Sequence, residues 1–90
     1  MPHKITYYAS IGGDRTIDNP YGLMRRLEHE DGPSDEALRR DFNWAFTPAI
    51  VEWEHGDYVY DLVEVSHEQA SKIIEYFRSR WGPYGQPLDS

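Results

Sequence analysis

Ser34 to Phe46 reads SDEALRRDFNWAF, and the fold turns on whether this stretch is helix or strand. Ser34 followed by Asp35 and Glu36 has the form of a capped helix start, because a serine hydroxyl can accept an early backbone N–H and acids suit the positive end of the helix dipole. The same residues also alternate. Leu38, Arg40, Phe42, Trp44 and Phe46 fall at every second position, the spacing that puts side chains on one face of a strand. The alternation tips the reading toward a strand over Asp35 to Phe46.

Upstream, HEDGPS is a polar turn, and Gly22 to Glu28 (GLMRRLE) reads as its partner strand, with Leu23, Arg25 and Leu27 on one face. Its Leu, Met, Arg and Glu also suit a helix. Lys4 to Ser10 (KITYYAS) has the β-branched and aromatic composition of a strand, with Ile5, Tyr7 and Ala9 facing one way. The segment between the two carries Gly12-Gly13 and Asn19-Pro20, so it is a loop. Downstream, TPAIVEWEHG is a short helix near residues 48–55: Thr47 is the N-cap, Pro48 the first helical residue and Gly56 the stop. Tyr58 to Val65 (YVYDLVEV) is a strand. In SHEQASKIIEYFRSRWGP, Ser66 and Gln69 form a capping-box pair, and Ala70, Ile73, Ile74, Phe77 and Trp81 draw one apolar stripe. The pattern predicts an α+β fold: a three- to four-stranded antiparallel sheet packed on one face by the C-terminal helix, with the short helix at its edge. Residues 1–82 are expected to form one domain and 83–90 a flexible tail.

The chain has 90 residues, 39% hydrophobic and 14% aromatic, which suits one ring-rich core. It has no cysteine, so disulfides and thiolate metal sites are excluded. No apolar run approaches the roughly 18 residues of a membrane span, and the opening residues lack a signal-peptide pattern. The expected location is the cytoplasm. The formal charge is −7, and its distribution is uneven. Between Asp41 and Ser71 lie seven of the 16 acids and none of the nine Lys and Arg residues, so the whole net charge belongs to that span. Broad binding to a nucleic-acid backbone is disfavoured, because it needs cations to displace counterions.

An opening strand, Asp18-Asn19-Pro20-Tyr21-Gly22 with the arginines after it, the Trp44 to Pro48 segment, and Asp61 to Ile74 (DLVEVSHEQASKII) together resemble small uncharacterised intracellular proteins of actinobacteria. The resemblance implies a compact domain and carries no activity and no site residues.

Within the acidic span, Glu52 and Glu54 are set about 200° apart by helical geometry and do not converge, and their spacing with His55 and Asp57 matches no metal motif. No metal or other cofactor is implied. Asp61 falls on the same strand face as Val59, Val63 and Val65, where partial desolvation would raise its pKa and make it a candidate base. If the two arginine-bearing strands pair as a hairpin, Arg26 and Arg39 share the solvent face as a candidate anion clamp, while Arg25 or Arg40 could reach Asp61. Tyr58 and Tyr60 project beside the acids, and tyrosine favours interfaces. These features point to a non-enzymatic interaction domain that engages a basic protein partner through Glu52, Glu54, Asp57, Tyr58 and Tyr60. Two alternatives stand beside it: a small enzyme or ligand-binding domain using Asp61 with an arginine, and an acidic mimic of DNA that occupies a nucleic-acid-binding partner.

Overall fold

The computed structural model describes residues 3–13 and 15–81. The expected flexible tail lies outside them. The chain is α+β, with strands β1 (Lys4–Ile11), β2 (Gly22–His29), β3 (Gly32–Leu38), β4 (Trp44–Phe46) and β5 (Asp61–Val65), and helices α1 (Ala49–Glu54) and α2 (His67–Trp81). The five strands form one antiparallel sheet in the order β4-β3-β2-β1-β5.

The sheet has one or two strands more than expected because Asp35 to Phe46 is two strands, not one. It breaks at residues 39–43. There the Arg39 N–H donates to the Asn43 carbonyl, the Phe42 N–H to the Arg39 carbonyl, and the Asn43 N–H to Asp41 Oδ1. Phe42 takes φ 65°, a left-handed conformation that costs a bulky residue on the order of 1 kcal/mol. Its ring lies 5.5 Å from the Trp81 ring, so packing holds the turn. The preceding turn is shorter than expected: His29 already pairs with Gly32, whose φ of 125° suits glycine alone. The last strand also starts later than expected, at Asp61. Asp61 pairs with Ile11, the final residue of β1, so Tyr58 to Tyr60 have no strand beside them.

One face carries Ala9, Leu23, Ala70, Ile73 and Phe77, all buried, with Tyr7, Leu38, Phe42, Trp44, Val65, Ile74, Tyr76 and Trp81 around them. This is the α2 stripe seated on the sheet. Ser66 Oγ accepts the Gln69 N–H at 3.0 Å, as the capping pattern predicts.

The other face is not open. Helix α1 lies across it rather than at the sheet edge, and Met24, Ala49, Ile50 and Leu62 form a second buried cluster flanked by Tyr8, Ala37, Trp53 and Tyr58. Thr47 Oγ1 accepts the Ala49 N–H at 3.2 Å, although Pro48, one residue later than expected, takes the N-cap position. Gly56, at φ 81°, follows the helix as predicted.

Arg26 fastens α1 to this face. Its Nε and Nη2 donate to the two oxygens of Asp35 at 2.7 and 3.0 Å, and its Nη1 and Nη2 donate to the two oxygens of Glu54 at 3.0 and 3.1 Å. Both carboxylates are therefore held in two-pronged fashion by one guanidinium, the geometry that suits arginine best. The Asp35 side chain is 7% exposed and that of Glu54 44%. The two carboxylates hold the guanidinium firmly protonated, and its hydrogen bonds hold the Glu54 carboxyl below the usual glutamate range. Burial pushes the neighbouring Tyr8 hydroxyl up, against the pull of the Arg26 charge.

Two outcomes follow. Asp35→Ala removes the more buried of the two carboxylates that hold Arg26 and leaves Glu54 as its partner, and unfolding by denaturant should show a loss of about 2 kcal/mol, between an exposed pair and a fully buried one. For Glu54, the folded pKa is depressed, so its contribution is complete above the ordinary value of about 4.3 and fades as pH falls through the folded value. Stability measured against pH should rise through that acid window in the wild type and rise less steeply in Glu54→Gln.

Candidate anion-binding cleft

The five residues expected to form an acidic, tyrosine-bearing surface are dispersed. Glu54 is occupied by Arg26, and Tyr58 packs against the second core. Tyr60 stacks on Tyr21 at 4.5 Å and meets Tyr58 edge-on at 6.0 Å. Glu52 and Asp57 stay together in solvent, where the Asp57 N–H donates to the Glu52 carbonyl at 2.7 Å, and Tyr60 is partly exposed.

The Arg26–Arg39 clamp does not form. The β2–β3 register sets Arg25 opposite Glu36 and Arg26 opposite Asp35, so each arginine meets an acid, while Arg39 falls beyond the end of β3. Arg25 Nε reaches Glu36 Oε1 at 2.8 Å, and its guanidinium lies 4.1 Å from the centre of the Trp44 ring. The Asp61 expectation also fails. Its side chain is exposed, it lines neither of the two recesses described below, and no arginine among the described residues pairs with it. A strand that begins at Asp61 leaves it at a free end, outside the apolar face.

A different site is present. Where β2 begins, β3 ends and α2 ends, a cleft of about 620 Å³ opens, lined by Arg15, Arg39, Arg40 and Arg80 and, among the described residues, by no acid. Its remaining wall is Pro20, Tyr21, Gly22, Leu38, Tyr76, Phe77 and Trp81. Three of the guanidiniums lie over rings: Arg15 over Tyr21 at 4.5 Å, Arg40 over Trp81 at 5.4 Å and Arg80 over Tyr76 at 5.8 Å. Such contacts hold a guanidinium by its face and leave its N–H edge for an anion. Asn19 Oδ1 accepts from Arg15 Nη1 at 3.0 Å and from the Tyr76 hydroxyl, so the Asp18 to Gly22 motif ties the loop to α2.

The electrostatics favour an anion. Arg25, Arg26 and Arg78 are paired with carboxylates, but the four cleft arginines form no ion pair among the described residues. Among the described residues, Asp41, next in sequence to Arg40, is turned to the Asn43 N–H, which is the main reason its carboxyl sits below the usual range; the Arg39 charge adds to this. The C-terminal end of α2 opposes an anion with about half a negative charge, which four guanidiniums outweigh. A recess lined by one sign of charge concentrates counter-ions. Among the described residues, no group of three or more side chains could hold a metal, and no helix is long and apolar enough to cross a membrane.

Sequence reasoning missed Arg15, Arg40, Arg80, Tyr21, Tyr76 and Trp81 as parts of one site. The signal was the charge distribution: every basic residue lies outside the acidic span, so cations had to gather elsewhere. No family model matches the chain, and no curated protein or solved structure matches it.

Gly12 controls the Tyr21 wall. A Cβ there would lie 2.7 Å from Tyr21 Cε2 and 3.4 Å from Tyr60 Cδ1. Gly12→Ala should therefore push the Tyr21 ring off Tyr60 while the backbone holds. The expected result is a changed near-ultraviolet circular dichroism signal with little change in melting temperature.

Proposed function

We propose that this chain is a small non-enzymatic binding domain that takes an anionic ligand in the arginine-lined cleft. The observation that carries this reading is the gathering of four arginines, with no acid among the described residues that line the cleft, in a chain of net charge −7. Like charges placed together cost stability unless a counter-charge joins them. Folding alone would be better served by scattering them among the chain's surplus carboxylates, as it does with Arg25 and Arg26. The groups also suit binding more than proton transfer, because guanidinium stays protonated and acts as a donor only.

The test is an NMR titration of the protein at low salt with inorganic pyrophosphate and with citrate. Shifts should concentrate at residues 15–22, 38–42 and 76–81, and affinity should fall steeply with added salt. A charge-assisted hydrogen bond contributes about 1.5–3 kcal/mol, so Arg40→Gln with Arg80→Gln should weaken binding roughly a hundredfold or more. Saturable binding that this double variant leaves unchanged, or no shift with either anion, would remove the proposal.

A second reading keeps the acidic surface as a contact for a basic protein. Glu52 and Asp57 are exposed near Val51 and near Val59, which is 87% exposed. Apolar side chains flanked by acids suit an interface whose partner brings cations. Under that reading, Glu52→Lys with Asp57→Lys should abolish salt-sensitive retention of a basic partner and leave pyrophosphate binding untouched.

A further inference from the structure

A second, smaller pocket of about 240 Å³ adjoins the arginine cleft and shares Tyr21, Gly22 and Leu38 with it. The rest of its wall is of a different kind. Met24, Ala37, Tyr58 and Tyr60 make it apolar and ring-rich, with no charged residue among those described. Ser10 also lines it. Ser10 is 2% exposed, and its Oγ has no hydrogen-bond partner. A buried hydroxyl without a partner is costly, and most such groups in folded proteins are satisfied.

The sheet shows why this hydroxyl is left open. On β2, the residue opposite Ser10 is Gly22, which has no side chain to cover it. A Cβ at Gly22 would meet only Ser10 Cβ, at 4.0 Å, so the space beside the hydroxyl follows from glycine at this position. On the other side Ser10 faces Leu62, which offers no polar atom. Tyr21, held against Tyr60 with Gly12 close behind, borders both recesses.

We infer that the ligand is an amphipathic anion: an oxyanion head, phosphate or carboxylate, held by the cleft arginines, joined to a flat ring that enters the second pocket and accepts a hydrogen bond from Ser10 Oγ. This rests on the anion-binding reading and adds the ligand's other half. The two recesses have complementary chemistry, one cationic and one ring-rich with the buried Ser10 hydroxyl as a donor without a partner, and a shared wall lets one molecule occupy both. A pocket that is mostly apolar with one placed polar group is the usual form of a small-molecule site.

The test compares four probes by calorimetry on the full chain: inorganic phosphate, 4-methylumbelliferyl phosphate, coumarin-3-carboxylate and 4-methylumbelliferone. At least one coumarin carrying a head group should bind about tenfold or more tightly than phosphate, through burial of the ring. Whether the phosphate or the carboxylate binds better assigns the head. The uncharged coumarin should bind weakest. Ser10→Ala, and Ala37→Leu, which fills the second pocket from a position outside the arginine cleft, should each shrink the advantage of the ring and leave phosphate affinity within about twofold. Ser10→Ala should also melt no lower than the wild type, because it removes a hydroxyl without a partner. Anionic coumarins that bind no better than phosphate would overturn the inference and leave the anion reading standing. So would a ring advantage that neither variant shrinks. Failure of phosphate and both anionic coumarins to bind would remove the anion reading and this inference together.

Discussion

The double grip of Arg26 on Asp35 and Glu54 is the constraint on which the layout depends. One guanidinium joins β2, β3 and α1, and it sits on the sheet face opposite the long helix. Asp35 adds a backbone contact, accepting the Thr47 N–H at 3.1 Å, so the entry to α1 is fixed from the same residue. With α1 anchored there, the chain must cross the sheet from the β4 edge to the β5 edge. That crossing carries Tyr58 onto the second core and lays Tyr60 against Tyr21. The shape of the cleft end thus follows from an ion pair on the far side of the sheet.

Charge is sorted in space as well as in sequence. Where arginines support the fold, the hairpin register gives each a carboxylate: Arg25 has Glu36 and Arg26 has Asp35. Where they line the cleft they come from segments that the register does not pair, namely a loop, a turn and the last turns of a helix. Aromatic rings stand in for acids there. A ring holds a guanidinium without cancelling its charge, which distinguishes these contacts from the salt bridges elsewhere.

The sequence shows the elements with strong local logic. The α2 stripe, its Ser66 cap and the Gly56 stop all have short-range physical causes and are found as expected. The strand character of Leu38 and Trp44 was also visible in their alternation, but the break between them was not. It depends on Phe42 accepting a left-handed backbone in return for packing on Trp81, a contact 39 residues away in the chain. The second core was hidden for a related reason. Tyr8, Met24 and Leu62 sit on the face opposite the obvious stripe, and alternation alone assigns such residues to solvent until a covering helix is known. The cleft was least legible, because its arginines converge only after the loop, the turn and the helix end meet. The clamp between Arg26 and Arg39 misled because it assumed a hairpin register that the acids at 35 and 36 do not allow.

Helices on both faces leave the sheet with exposed margins, and β5 is one of them. An uncovered strand is a template for another strand, so a protein of this design has to discourage stacking side by side. Asp61 and Glu64 lie on that margin, both exposed. A second copy laid along β5 would bring the carboxylates of both chains together with no lysine or arginine between Asp41 and Ser71 to neutralise them. The acids of this stretch then act as a guard: the repulsion between them opposes the addition of another strand along β5.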